Sequence, residues 1–212
     1  SDVYKRQVFD YVIDCSGWPT DFSNYNMTAE TVNTCLVHNS VDIGPKEPYT
    51  GHEATVDGWM FDIPLHTRTS FGYLFNSSIT SEEEAKKNFA TRLNADESGF
   101  EVTRYAFKSC YVNAVMDNRL LLNGNKSLFM EPLFASSLFV YDMVNRAFVD
   151  YLNGAAGVAD VNARFEATAK DLESQIMYQY HGGSMHNTPF WEHITKSSKD
   201  FLAESTKLAE FK

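Results

Sequence analysis

Apolar residues fall along the chain first in short runs and later in helical stripes. Val8-Phe9-Asp10-Tyr11-Val12-Ile13 is an apolar run ending at Asp14-Cys15-Ser16-Gly17, the pattern of a buried strand feeding a tight turn. After an irregular stretch to Thr31, four segments rich in Val, Thr, Tyr and Phe (32–38, 50–56, 58–63 and 69–75) read as strands. Gly44-Pro45, Asp57-Gly58 and Pro64 separate them, and Asp57-Gly58 is a hairpin signal. Ser81 with Glu84 three residues on forms a capping box, and the acids Glu82, Glu83 and Glu84 suit the positive end of a helix dipole. Strands are predicted again at 100–107, 109–114 and 119–122, then a turn at Asn123-Gly124-Asn125 and an extended stretch to Pro132. Beyond Ser136, Phe139, Met143, Ala147 and Tyr151 recur at i+4 beside Val140, Val144 and Phe148, which predicts a helix that Asn153–Gly157 stops. Further helices are expected over about 158–180 and 189–211. There is no internal repeat. Strands first and helices last predict an α+β fold.

Composition narrows the function. The 212 residues are 43% apolar and 14% aromatic, enough for a sizeable core. Eighteen Lys+Arg against 28 Asp+Glu leave a net charge of -10, so a nucleic-acid backbone would be repelled. No run approaches the ~18 apolar residues that a membrane-spanning helix needs, and no membrane partner is expected. Cys15, Cys35 and Cys110, an odd number with no CxxC, predict reduced, buried thiols in a cytoplasmic protein. The six histidines never fall at i,i+4, so no metal site is expected.

GxGxxG, P-loop, HExxH and GxSxG motifs are all absent. Four phrases nonetheless look like site-building turns. Asp14 to Gly17 ends a strand where backbone can approach a ligand closely. Trp59 and Phe61 sit two apart on one face of a strand. Asn123 to Leu133 places a carboxylate, Glu131, and free amides ahead of a helix start, which attracts anions. Thr188-Pro189-Phe190-Trp191 sets two aromatics at another helix start, where Phe190 is expected to pack and Trp191 to share a cavity with Trp59. Each phrase read alone is better explained as packing than as function.

Taken in order, the phrases resemble the flavin-dependent halogenases of the tryptophan-halogenase type. Asp10-Tyr11-Val12-Ile13-Asp14-Cys15-Ser16-Gly17 is similar to that family's DxxIDCSG strand, and Trp59 to Pro64 to its WxWxIP hallmark, with Phe61 in place of the second Trp. Arg68 to Ser81 resembles its RxxxGYxxSS stretch, Phe129-Met130-Glu131-Pro132-Leu133 its FLEPL phrase, and Tyr178-Gln179-Tyr180 with Thr188–Trp191 its C-terminal HY…DTPFW phrase. The resemblance implies an FAD enzyme fed by a separate flavin reductase. Reduced flavin, O₂ and halide yield hypohalous acid, which halogenates an electron-rich small organic molecule. It places Asp14, Gly17, Asn123, Gly124 and Pro132 at the cofactor, Ser136 and Ser137 at the halide, and Trp59, Phe61, Tyr180, Phe190 and Trp191 around the substrate.

Two departures follow from the same alignment of phrases. The family's GxGxxG and catalytic Lys lie before its DxxIDCSG strand and are missing here, so the chain reads as the C-terminal part of a longer enzyme, inactive alone. The family's catalytic Glu falls on Phe134, which cannot handle a proton, leaving Glu131 as the nearest carboxylate in sequence. Tryptophan-specific members carry an acid for the substrate's amino group where this chain reads Ser184-Met185-His186-Asn187, so free tryptophan is not the expected substrate. A hydroxylating flavin monooxygenase and a non-catalytic α+β binding module remain open, as does self-association into a homo-oligomer. Residues 1–7 resemble translated adapter read-through; 8–135 are expected to hold the end of the FAD domain plus a substrate-side sheet, and 136–212 a helical region.

Overall fold

The computed structural model describes residues 8–41 and 49–204. Residues 1–7, the Gly44-Pro45 break and the end of the last predicted helix lie outside the described residues. Strands come mostly first and helices last, an α+β chain that divides into two compact units, one of Ser1–Ala29 with Lys108–Ile176, the other of Glu30–Phe107 with Met177–Lys212.

The first unit holds two small sheets. In one, β1 (Val12–Asp14) runs parallel to β10 (Leu120–Leu122), which pairs antiparallel with β9 (Met116–Asp117). In the other, β2 (Tyr25–Met27) and β11 (Leu128–Phe129) flank β8 (Cys110–Val112). The predicted first strand is shorter than expected and not buried: Val12 and Ile13 are about half exposed. Among the described residues β1 is an edge strand, with a neighbour on one side only.

Two helices complete this unit. In α2 (Ser137–Leu152) the buried stripe is Val140, Val144, Ala147 and Phe148, while Phe139 of the predicted stripe is exposed. Steps of four overshoot the 3.6-residue turn, so a strict i+4 series drifts off one face. The longer α3 (Val158–His181) buries Val161, Phe165, Ala169, Leu172 and Ile176 at steps of four, four, three and four. Asn162 fastens it to β9 with an amide that both donates to Met116 O and accepts from Met116 N, each at 2.9 Å.

The second unit is built on an antiparallel sheet in the order β4-β5-β6-β3-β7, from β3 (Thr34–Ser40), β4 (Gly51–Thr55), β5 (Gly58–Pro64), β6 (Thr69–Phe75) and β7 (Thr103–Ala106). The β4–β5 hairpin turns at Val56-Asp57, and Gly58 opens β5 opposite Thr55. A Cβ on Gly58 would lie 2.2 Å from Leu74 O, so only glycine lets β5 and β6 close here. The Phe61 ring covers Gly72 across the strand pair and fills the space a side chain would take.

Helix α1 (Glu82–Arg92) starts as the sequence predicts, with Ser81 Oγ accepting from Glu84 N at 3.2 Å. It lays Ala85, Phe89 and Ala90 on the sheet face formed by Leu36, Met60, Tyr73 and Phe75. Helix α4 (Pro189–Glu204) buries Phe190, Trp191, Ile194, Ser198 and Leu202. None of the described helices is long and apolar enough to cross a membrane. Cys35 and Cys110 are buried, and burial pushes their thiols up to about 12 and about 11. Cys15, also expected to be buried, is exposed because it sits in the turn after edge strand β1.

Candidate functional site

In the first unit the strand-end turn, the Asn123 turn and helix α2 are tied by one set of hydrogen bonds. Asp14 O accepts from Asn123 N at 2.9 Å as β1 and β10 end side by side. The Asn123 side chain accepts from Gly124 N at 2.8 Å and donates to Tyr141 O at 3.2 Å and Asn145 Oδ1 at 2.9 Å. Tyr141 in turn donates its phenol to Asn125 Oδ1 at 2.6 Å. Asn123 is therefore a buried clamp between a turn and a helix. Nothing in its own phrase shows that; the partners Tyr141 and Asn145 lie on a helix and read in the sequence only as its polar face.

The Asp14 carboxylate caps its own turn, accepting from Ser16 N at 2.9 Å, and its bonds to the Ser16 hydroxyl and amide hold it below the usual carboxylate range. Gly17 follows at φ +94, with no atom within 4 Å of where a Cβ would stand, so the backbone there is open to approach. Gly124 has φ +64, and its carbonyl is taken by Ser127.

Glu131 is buried and precedes a single 3₁₀ turn, Pro132–Phe134, that ends on Ala135 at φ +50. Phe134 is 42% exposed. Ser136 is the cap residue of α2 but makes no side-chain cap bond, so the amides of Ser137 to Phe139, ahead of the first intrahelical bond from Val140 N to Ser136 O, have no capping acceptor among the described residues. These residues suit an anion at the helix start. Of these turn residues Gly17 leaves its backbone open to a flat ligand, while a dinucleotide pyrophosphate would need a glycine-rich strand–helix turn that this sequence does not carry.

The proposed substrate residues all fall in the second unit. Trp59 is buried, its ring 6.1 Å from Phe61 and 5.6 Å from His52. Tyr180, Phe190 and Trp191 form a second aromatic group, with Trp191 5.9 Å from Tyr180 and 5.3 Å from Phe190. Phe190 is fully buried; Phe61 is the one half-buried ring of the five.

What holds the second group in place is a row of three hydrogen bonds. His186 Nε2, Trp191 Nε1 and Thr188 Oγ1 reach the successive carbonyls Ala54 O (3.1 Å), Thr55 O (2.7 Å) and Val56 O (2.6 Å). A carbonyl can only accept, so Nε2 of His186 carries the hydrogen. Among the described residues β4 is at the edge of its sheet, and these side chains reach the end of that strand and its turn. Ala54 pairs with Trp59 across the hairpin, so Trp191 is anchored one residue from the partner of Trp59. A cleft of about 520 Å³ opens beside the same strand, lined by Thr55, Tyr73 and His186 among others but by none of the five proposed aromatic residues.

The hairpin turn is itself held by a buried carboxylate. Asp57 accepts from Tyr73 OH at 2.7 Å, Asn88 Nδ2 at 2.8 Å and Thr80 Oγ1 at 3.1 Å. Sequence reasoning saw Asp57 only as a turn residue, since its three donors are 16 to 31 positions away.

Comparison with known proteins gives one family. The tryptophan halogenase family matches over residues 5–211. Tryptophan 7-halogenase RebH of Lentzea aerocolonigenes is 25% identical over 199 residues, 86% of this chain and 37% of its own length. The crystal structure of a tryptophan halogenase from Shewanella frigidimarina superposes with a TM-score of 0.76 at 20% identity, over 89% of this chain and 40% of that one. MibH, a lanthipeptide tryptophan 5-halogenase, gives 0.77 at 19% identity, over 90% and 38%. The chain thus spans about two fifths of the length of these relatives.

Proposed function

The chain belongs to the tryptophan halogenase family, and from that we propose that it is part of an FAD-dependent halogenase-like oxidoreductase acting in the cytoplasm on an electron-rich organic molecule. FAD, reduced by a separate flavin reductase, would supply the oxidising equivalents that turn halide into hypohalous acid. The observation that carries the reading is the single hydrogen-bond set joining Asp14, Asn123 and Gly124 to α2, because it brings the cofactor-side turns to one helix. In this reading Asp14, Gly17, Asn123, Gly124 and Pro132 offer turns and backbone to the flavin. The amides at Ser136 and Ser137 hold halide at the helix start. Trp59, Tyr180, Phe190 and Trp191, all nearly buried, form the frame of the substrate region, and Phe61 is the ring left available for contact.

The isolated chain is inactive in this reading. Val12, Ile13, Leu138 and Phe139 of the first unit are large apolar side chains left exposed, surface that a further part of the enzyme would cover in this reading. The missing acid at 184–187 points away from free tryptophan and toward a substrate without a free amino group to pair.

Phe134 favours a second reading, hydroxylation without halogenation. The resemblance gives the carboxylate at this position the task of activating the halogenating agent, which a phenyl ring cannot do, and hydroxylation does not pass through hypohalous acid; Glu131 is the carboxylate nearest in sequence. The test joins this chain to the N-terminal part of a halogenase relative and supplies reduced FAD, bromide and an activated aromatic. Brominated product that rises on the order of 10²-fold in Phe134→Glu supports the first reading. Hydroxylated product alone, in both proteins, replaces it with the second. A joined protein that binds FAD and yields neither product returns the chain to a binding module.

A further inference from the structure

We propose that Tyr11 and Tyr151 form a modification site, a phenol pair that one-electron oxidants of the peroxidase type join into a dityrosine cross-link between the start of β1 and the end of α2. Neither residue is among those assigned to flavin, halide or substrate, so the inference does not rest on the proposed function.

The two residues are 140 positions apart, yet the Tyr11 hydroxyl donates to that of Tyr151 at 3.5 Å. Tyr11 immediately precedes β1, and Tyr151 lies in the last turn of α2. Phe148, buried one turn back on the same helix, is the base on which both rings rest. Its ring centroid is 5.5 Å from that of Tyr11, edge to face, and 6.2 Å from that of Tyr151, stacked. Tyr11 and Tyr151 stand edge to face at 5.9 Å.

Phenylalanine at either position would keep these ring contacts. What the two phenols add is the meeting of their hydroxyls. That contact is long for an O–H···O bond, so it contributes little to stability. Both side chains are half-buried, which leaves the pair within reach of an oxidant in solvent. The bond to Tyr151 raises the Tyr11 phenol, so its proton is still in place when the electron leaves. Each ring can turn about its Cβ–Cγ bond without moving its oxygen, and that turn carries an ortho carbon of one ring toward an ortho carbon of the other.

The step balances as follows for the pair. Two one-electron oxidants each take an electron from one phenol, each phenol gives its proton to water, and two phenoxyl radicals result. A carbon–carbon bond forms between their ortho carbons, and each ortho hydrogen then moves to the oxygen of its own ring. Two electrons and two protons are lost in all. Strand β1 is three residues long with one paired neighbour among the described residues, and a link across 140 positions would pin it by restricting the unfolded chain.

The experiment exposes the dilute 212-residue chain to tris(bipyridine)ruthenium(III), generated by light and persulfate. The expected result is dityrosine fluorescence in the monomer band. After trypsin, a linked peptide pair carrying Tyr11 and Tyr151 should weigh two hydrogens less than the two peptides together. Tyr11→Phe and Tyr151→Phe should each abolish the link while keeping the rings against Phe148. Tyr105→Phe removes a phenol that is 56% exposed and should leave the yield unchanged. The linked monomer should melt at least about 5 °C above the untreated chain. Links through Tyr105 or other tyrosines instead, dityrosine only between chains, a yield that survives Tyr11→Phe, or an unchanged or lowered Tm would each overturn the proposal.

Discussion

Asp57→Ala is expected to be among the most destabilising single changes outside the apolar core. The carboxylate is 6% exposed and accepts from three neutral donors, with no lysine or arginine paired to it among the described residues. Hydrogen bonds to a charged group contribute about 1.5–3 kcal/mol each, so simple addition would give about 4.5–9 kcal/mol. Two effects reduce that sum. Burying a carboxylate without a counter-charge is itself costly, and that cost disappears in the alanine variant. Asn88 is only half-buried and borders the cleft, so water can reach its amide once the carboxylate is gone, whereas the Tyr73 phenol is buried. Thr80 is buried and has no such recourse. The net expectation is a loss of about 3 kcal/mol, or roughly 6–12 °C in Tm for a chain of this size. Asp57→Asn should fall about midway, since its amide keeps one acceptor oxygen but turns donors toward donors. Urea unfolding followed by circular dichroism measures the loss, with an unchanged m-value as the check that the unfolded state is the same. A loss below about 1 kcal/mol would refute the reasoning, because the desolvation cost would then cancel the three bonds.

Gly58→Ala should cost about 3 kcal/mol or more, read from the same urea curves, since its Cβ would meet backbone 2.2 Å away rather than a flexible side chain. A thiol reagent at pH 8 should modify one cysteine quickly, Cys15, and the buried Cys35 and Cys110 only as the chain unfolds. Burial raises the Cys35 thiol from 9.0 to about 12, and raises the Tyr73 phenol as well, so both hold their protons more tightly in the folded chain. Their contribution is therefore complete below about pH 9 and is lost as pH climbs toward 12, which a Tm series from pH 7 to 11 should show as a fall beginning near pH 9. The purified chain, mixed with FAD and desalted, should retain none of the flavin absorbance; stoichiometric yellow protein would contradict the expectation that a pyrophosphate-binding turn is needed.

Much of the fold is legible in the sequence because local signals and tertiary packing agree. Ser81 and Glu84 announce α1, and the Val-, Thr- and Phe-rich runs at 58–63 and 69–75 become β5 and β6 almost residue for residue. Where the reading slips, a neighbour decides. The 32–38 run is displaced to Thr34–Ser40 by pairing with β6, from Thr34 opposite Phe75 to Ser40 opposite Thr69. Strand β9 is two residues long and exists through its register with β10, so no run of its own could reveal it. On α2 the apolar residues outnumber the positions on one face, so adjacent Phe139 and Val140 cannot both face the core, and it is Val140 that is buried.

The candidate sites divide along the same line. Phrases whose chemistry is local survive the transfer to three dimensions: Asp14 caps its own turn, and the aromatics at 59 and 61 share a face. Arrangements made by long-range bonds do not announce themselves. Trp191 reads in sequence as a ring at a helix start, yet its indole hydrogen is spent on Thr55, 136 positions away, and His186 and Thr188 make the neighbouring bonds of the same row. Three donors spaced 186, 188 and 191 match three consecutive carbonyls, the first two from the segment that precedes α4 and the third from its first turn. The geometry gives these residues a shared task, fixing α4 to an edge strand, that any role toward a substrate has to coexist with. Removing the Trp191 ring would thus disturb the anchor and the aromatic frame together, whereas Trp191→Phe keeps the ring and deletes only the bond to Thr55.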